Sequence, residues 1–260
     1  MIRINATWKS IAVQFVLHPG RTLKDVLKYR SDMIRFCQAN RRESFVPQRR
    51  LRWPCLFDWR DNAGSLSYYF LQDLWAAKKI FQRGPSRHFD VASRIDGFIA
   101  HLLTFMPVTL VDIRPLPFEV EGLNFIRANA TDMSVIEDDS VESLSSLCAL
   151  EHFGLGRYGD PVDPEACFKS MAELQRILTV NGKLYVAVPV GVESIYFNAH
   201  RVFAPQMIID ALPKLRLTDF SVVDTRDPQM PQYREHVAPD GYKNEICDNG
   251  ALIGLFEFEK

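Results

Sequence analysis

Residues 87–98 read Arg87-His88-Phe89-Asp90-Val91-Ala92-Ser93-Arg94-Ile95-Asp96-Gly97-Phe98. The stretch predicts a short strand over Phe89–Ala92, a tight turn, and an apolar helix through Phe98–Leu103. A second apolar run follows, Val108-Thr109-Leu110-Val111, and it ends in Asp112. A strand, turn, helix and second strand tipped by a carboxylate form the front half of a nucleotide-binding α/β unit. In such a unit the acidic side chain accepts hydrogen bonds from a ribose diol. Only Gly97 stands in a turn that usually carries two or three glycines. The turn is therefore open to two readings, a ligand cradle or a plain connector.

Working outward, strands and helices alternate. Leu123–Arg127 reads as a third strand and Glu142–Cys148 as a fourth. Asp163-Pro164-Glu165 has the composition of a helix start, and apolar Phe168, Met171, Leu174, Ile177 and Leu178 continue it to Asn181-Gly182. Lys183–Val188 is a fifth strand, and a helix runs from Ala204-Pro205 to Leu212. Two closing strands, Leu217–Val223 and Leu252–Phe258, flank a long polar loop. This alternation predicts an α/β fold, a parallel sheet with helices on both faces. Upstream, a helix is expected within residues 21–40 and another from Ser65 to Phe81, stopped by Gly84-Pro85, with an irregular Pro- and Arg-rich link between them.

A length of 260 residues suits one large α/β domain or one domain with an extension. No apolar stretch approaches the ~20 residues of a membrane span, and the start lacks the pattern of a secretory signal. The five cysteines show no zinc-type pairing, so no metal is expected, and free thiols in a cytoplasmic protein are the simplest reading. The net charge of -1 hides an asymmetry. Residues 1–60 hold thirteen Lys/Arg against four Asp/Glu, while the rest hold eighteen against twenty-eight. Residues 1–64 are thus expected to be a basic, partly helical extension, and 65–260 the α/β domain. The basic face suits an anionic partner, a peripheral phospholipid contact, or pairing with the acidic body of the same protein. No nucleic-acid-binding motif accompanies it.

The order of motifs over residues 85–260 resembles the class I S-adenosylmethionine-dependent methyltransferases. The segment Glu173-Leu174-Gln175-Arg176-Ile177-Leu178-Thr179-Val180-Asn181-Gly182-Lys183-Leu184 is similar to the family's Arg-x-Leu-x-x-Gly-Gly-x-Leu signature before the fifth strand. Asn129-Ala130-Thr131-Asp132-Met133, with the acidic loop Glu137-Asp138-Asp139, resembles its Asp-Ala-x-x-Leu turn; Leu150-Glu151-His152 resembles the segment past the fourth strand. More narrowly, Ser143–Pro161 together with Asn198–Phe203 resembles an uncharacterised methyltransferase-like family, a domain of unknown function in bacteria and nematodes. The resemblance implies a Rossmann-like, mostly parallel seven-stranded sheet with the last strand antiparallel, and S-adenosyl-L-methionine as cofactor.

It also implies a set of residues. Asp90, Ala92, Arg94, Gly97, Asp112, Asn129, Ala130 and Leu150 are expected at the cofactor, with Asp112 on the ribose. Where the family carries glycines, Arg94 and Asp96 are charged; Arg94 could face the cofactor's carboxylate. His200 and His152 are the candidate bases for an oxygen acceptor, with Glu151 and Asp160 behind them. Arg157, Tyr158 and Arg201 are candidates for substrate binding. The loop Gly154–Pro161 is either a substrate lid or a rigid connector.

Three functions fit the residues. The first is methyl transfer to a small-molecule or carbohydrate acceptor at oxygen. The second is a degenerate relative that binds or scaffolds, favoured by the charged first motif. The third, a nicotinamide oxidoreductase, is disfavoured by the poor Gly-x-Gly-x-x-Gly match. A monomer and an oligomer are equally compatible with the sequence.

Overall fold

A computed structural model of the chain describes residues 15–60, 66–227, 230–247 and 251–260. It comprises two compact units, Met1–Ser65 and Leu66–Lys260. The first unit contains helix α1 (Pro19–Ala39), started by Pro19 and by Thr22, whose hydroxyl donates to the His18 carbonyl at 3.0 Å. Short 3₁₀ turns follow, and Trp59 Nε1 donates to Asp25 Oδ1 at 3.2 Å. Leu23, Leu27, Ile34, Phe36 and Trp53 are exposed, so these described residues build little core of their own. No helix among the described residues is long and apolar enough to cross a membrane.

The second unit begins with α2 (Tyr68–Arg83). Ser67 Oγ accepts from Phe70 N at its start, and Gly84 ends it in the left-handed conformation at φ 66°. Then come β1 (His88–Val91), a π-helical turn (Ile95–Ile99) running into the short α3 (Ala100–Leu102), β2 (Val108–Asp112), β3 (Leu123–Arg127) and β4 (Val141–Leu147). α4 (Ala166–Ile177), β5 (Leu178–Pro189), the hairpin β6 (Ser194–Tyr196) and β7 (His200–Val202), and α5 (Pro205–Ala211) follow. β8 (Arg216–Asp224), β9 (Gln232–Arg234) and β10 (Leu252–Glu259) complete the unit.

The main sheet has the order β3-β2-β1-β4-β5-β10-β8-β9. β1 to β5 pair in parallel; β10 is antiparallel to both of its neighbours. Two apolar layers cover it. α4 buries Met171, Leu174 and Ile177 on one face, and α2 buries Trp75, Ala76 and Ile80 on the other. Strand order reverses between β1 and β4, the place where open α/β sheets leave a crevice at their carboxyl edge.

Three expectations need correction. The sheet has eight strands rather than seven, because β9 pairs antiparallel with β8; its three polar residues carry no alternation to read. Asn181-Gly182 does not close α4. The helix stops at Ile177, and the Asn-Gly pair lies inside β5, where the register with β4 shifts and Asn181 takes φ 61°. α4 also starts later than Asp163, at Ala166, with Asp163 Oδ1 accepting from Glu165 N ahead of it.

A buried polar clasp ties β1 to β4. Ser145 donates its hydroxyl to Asp90 Oδ2, so its oxygen accepts from His88 Nε2 at 2.8 Å. That assigns the Nε2–H tautomer, and His88 Nδ1 accepts from Ser143 Oγ at 2.7 Å. Asp90 also accepts from the Ser93 amide at 2.9 Å and its hydroxyl at 2.6 Å. Ser93 Oγ in turn accepts from Leu147 N at 2.8 Å. Within this clasp Ala92 is held at φ 63°, the left-handed region where glycine is the ordinary residue.

Two measurements follow from the clasp. Burial pushes the His88 imidazole down to about 3, so the folded chain keeps it neutral while the unfolded chain protonates it near the usual ~6.5. Stability from this residue is whole above that pH and falls as pH drops toward 3. The loss is about 2 kcal/mol at pH 5, and urea midpoints of His88→Gln are expected to show a shallower acid slope than the parent. Ala92→Gly relieves the left-handed alanine and is expected to stabilise by about 1 kcal/mol, a rise in Tm of roughly 2–4 °C by calorimetry.

Candidate functional site

The carboxyl ends of β1, β2, β3 and β4 surround a cavity of about 350 Å³. This lies within the range of small-molecule sites. From the β1 turn come Ala92, Ser93 and Arg94; from the end of β2 come Asp112 and Arg114. Asn129 and Ala130 follow β3, and Cys148, Ala149, His152, Arg157 and Tyr158 follow β4. Tyr69 of α2 closes one wall.

Asp112 is nearly buried, and Arg114 grips it. The guanidinium donates from Nε to Oδ1 at 3.0 Å and from Nη2 to Oδ2 at 2.6 Å, and the Arg114 amide adds a bond to Oδ1 at 2.8 Å. The pair matches the fork geometry of arginine and carboxylate. Arg94 behaves similarly: it donates to Asp96 at 3.0 and 2.5 Å while lying over the Tyr69 ring, 4.6 Å from its centroid. The charges in the first motif therefore neutralise each other at the cavity rim.

The turn after β3 is shaped by Asn129, whose Oδ1 accepts from Thr131 N at 3.1 Å. The acidic loop beyond is fastened by α4. Arg176 donates to the carbonyls of Met133 and Ile136, both at 2.9 Å, and to Glu173 and Asp138. Glu173 accepts from Met133 N at 2.7 Å. The Glu-x-x-Arg portion of the fifth-strand signature thus has a physical task here: it holds the loop that delivers Asn129 and Ala130 to the cavity.

The segment after β4 carries the titratable groups. His152 Nδ1 donates to the Ala199 carbonyl at 2.6 Å, which fixes the proton on Nδ1 and leaves the Nε2 lone pair free. Burial pulls this imidazole down to about 4, so it is neutral at pH 7. Glu151 is buried beside it, with Oε1 3.7 Å from His152 Nε2 and Oε2 without a hydrogen-bond partner. Burial raises Glu151 to about 8, so the carboxyl is protonated at neutral pH.

The glycine-rich loop is tied to itself. Asp160 accepts from the Gly154 amide at 2.6 Å and the Tyr158 amide at 3.2 Å. At Gly154, φ is 78° and an added Cβ would lie 1.9 Å from the Asp163 carbonyl oxygen, so only glycine fits. The loop puts the Tyr158 ring between two guanidinium groups, Arg114 at 4.7 Å and Arg157 at 5.1 Å from its centroid. Arg157 Nη1 shares the Ala199 carbonyl with His152, at 2.9 Å.

Of the residues expected at the site, Ala92, Arg94, Asp112, Asn129, Ala130, His152, Arg157 and Tyr158 line the cavity. The others stand elsewhere. Asp90 is fully buried in the clasp behind the turn, and Leu150 is part of the apolar core. Gly97 lies outside the lining; an added Cβ there would meet Asp73 Oδ2 at 2.1 Å, so its role is to admit that carboxylate. Arg201 is buried and donates to the backbone carbonyls of Phe153, Pro164 and Glu151, bracing the loop from behind. His200 is outside the lining too, stacked on Tyr196 with ring centroids 4.9 Å apart. Sequence reasoning missed Arg114, although its spacing of two from Asp112 suits a side-chain pair at a strand end. It also missed Tyr69, for which the chain offers no local signal. Among the described residues, no group of three or more His, Cys, Asp or Glu side chains is placed to hold a metal ion.

The sequence pattern of a family described as "Caenorhabditis protein of unknown function, DUF268" matches residues 130–225. No curated protein matches the sequence. Among solved structures, the chain is similar to 1,6-didemethyltoxoflavin-N1-methyltransferase from Burkholderia thailandensis, which was crystallised with 1,6-didemethyltoxoflavin and S-adenosylhomocysteine. The identity is 16%, with 89% of this chain and 86% of that one covered and a TM-score of 0.50. It is also similar to the [4+2]-cyclase SpnF, at 15% identity, with 77% and 85% covered and a TM-score of 0.52. Likeness at this level speaks to the fold, and a fold hosts more than one chemistry. The second unit of this chain has the Rossmann-like fold of the class I methyltransferases, and its residues 130–225 carry the pattern of that family of unknown function.

Proposed function

We propose that the protein binds S-adenosylmethionine in this cavity and transfers its methyl group to a hydroxyl of a small molecule, sugars included. The observation that carries the reading is the Asp112 carboxylate at the tip of β2, lining a cavity at the carboxyl edge of a sheet with the class I strand order. The residues suit the cofactor. Asp112 would accept from a ribose diol, beside a half-exposed Arg114 able to share it. Asn129 and Ala130 line the same cavity and would contact the cofactor from the β3 side. Bound there, the cofactor supplies an electrophilic methyl on a sulfonium.

The chain's own part is alignment and a proton. Alignment of an in-line displacement lowers its barrier through the entropy already lost on binding. For an oxygen acceptor, His152 would be the base: its Nδ1–H is committed to Ala199, which leaves Nε2 to hold the hydroxyl proton. His200, the other candidate, is further from this role because it does not line the cavity. Tyr158 and Arg157, exposed residues of the lining, would be the contacts to the substrate.

Calorimetry tests the cofactor. S-adenosylhomocysteine is expected to bind, and Asp112→Asn to weaken it about ten- to hundredfold, since a hydrogen bond to a charged group contributes ~1.5–3 kcal/mol. Binding of a nicotinamide dinucleotide in its place, or no change in Asp112→Asn, would remove the reading. Loss of all nucleotide binding in the parent would leave a scaffold role.

A further inference from the structure

Three arginines line the cavity, and one of them has no carboxylate in contact. Arg94 is neutralised by Asp96 and Arg114 by Asp112. Arg201 is buried on backbone carbonyls, away from the lining. Arg157 lines the cavity, is exposed, and has no carboxylate within 4.0 Å among the described residues. Its nearest carboxylate-bearing loop neighbour, Asp160, already accepts from two backbone amides. One guanidinium nitrogen holds the Ala199 carbonyl, which anchors the group and leaves Nε and Nη2 for another acceptor. The Tyr158 ring beneath it fixes its plane.

Resting on the methyl-transfer reading, we propose that the acceptor carries an anionic group, a carboxylate or a phosphate, next to its reactive hydroxyl, and that Arg157 binds that group. A planar, anchored guanidinium without a counter-ion is suited to two-point recognition of such oxyanions. The spacing limits the acceptor further. Arg157 Nη1 and His152 Nδ1 are both held by the Ala199 carbonyl. The remaining guanidinium nitrogens and the imidazole Nε2 thus belong to two groups anchored on one oxygen, and an anion and a hydroxyl bound by them sit close together on one small molecule.

The arrangement also tunes the base. The Arg157 charge adds to burial in holding both His152 and His200 below their ordinary range, and it draws Glu151 down against burial. The titratable groups facing this charge are His152, His200, Glu151 and Asp160. An anion on Arg157 cancels its field, so His152 becomes a stronger base only when the acceptor is seated.

The test uses the protein saturated with S-adenosylhomocysteine. Salicylate, inorganic phosphate and the neutral analogue salicyl alcohol are the probes, followed by calorimetry and by imidazole NMR titration. At least one anion is expected to bind tenfold or more tighter than salicyl alcohol, and to raise the titration midpoints of His152 and His200. Whichever anion binds tighter identifies carboxylate or phosphate as the group. In Arg157→Gln both effects are expected to vanish while S-adenosylhomocysteine affinity stays within twofold, and Arg157→Lys is expected to restore part of the preference.

Equal binding of anions and neutral analogue overturns the proposal, as does failure of both anions to bind at millimolar concentration. A preference that survives Arg157→Gln overturns it too. If Arg157→Gln instead abolishes S-adenosylhomocysteine binding, the residue serves the cofactor and the proposal falls. Should the parent fail to bind S-adenosylhomocysteine at all, it is the methyl-transfer reading that fails; the anion arm, read without the nucleotide, reports separately.

Discussion

The clasp between His88, Ser143, Ser145, Asp90 and Ser93 is the constraint on which the site depends. Both strands it joins are covered on each face, so every polar atom buried there must find a partner within the sheet. The chain meets that demand with serines on β4 aimed at a histidine and an aspartate on β1. One consequence is rigidity at the point where strand order reverses. Another is the shape of the β1 turn: Ser93, held by Asp90 and Leu147 N, leaves Ala92 in the left-handed region and sends Arg94 to the cavity rim. Burial holds Asp90 up at about 6, a measure of how dry this junction is.

Around that fixed point the cavity is built from paired charges at its rim and neutral titratable groups deeper in. Arg114 covers Asp112, and Arg94 covers Asp96. Below them, Glu151 and His152 are both neutral at pH 7, because desolvation penalises the charged form of each. A neutral imidazole beside a protonated carboxyl is a site whose electrostatics respond to whatever charge enters. Arg157, the guanidinium left without a carboxylate among the described residues, sets the sign of that response.

Distant elements serve the same cavity through backbone contacts. Arg176 on α4 fastens the loop after β3, and Arg201 on β7 fastens the segment after β4. Both are arginines donating to carbonyls, a use that fits a planar group with five donors and low hydration. This explains why Arg201, a reasonable candidate for substrate from its place in Asn-Ala-His-Arg, is a structural brace instead. The same hairpin supplies the Ala199 carbonyl that sets the tautomer of His152. The His152 imidazole and the Arg201 brace are thus coupled through three consecutive residues.

The strands were legible because their apolar runs must be buried on both faces, and Asp112 was legible because a carboxylate ending such a run has few other places to be. Arg157 and Tyr158 could be named from a glycine-rich loop, whose backbone freedom is local information. By itself the sequence determined the alternation of elements, the parallel sheet and part of the set of side chains at its carboxyl edge. Only the tertiary structure decided which charges cancel, since Arg114 could meet Asp112 or a ligand and the chain order favours neither. Tertiary packing also took Asp90 and Gly97 out of the cavity, brought Tyr69 into it from an earlier helix, and put His152 rather than His200 in its lining. Pairing and desolvation are properties of three-dimensional neighbours, and a linear pattern does not encode them.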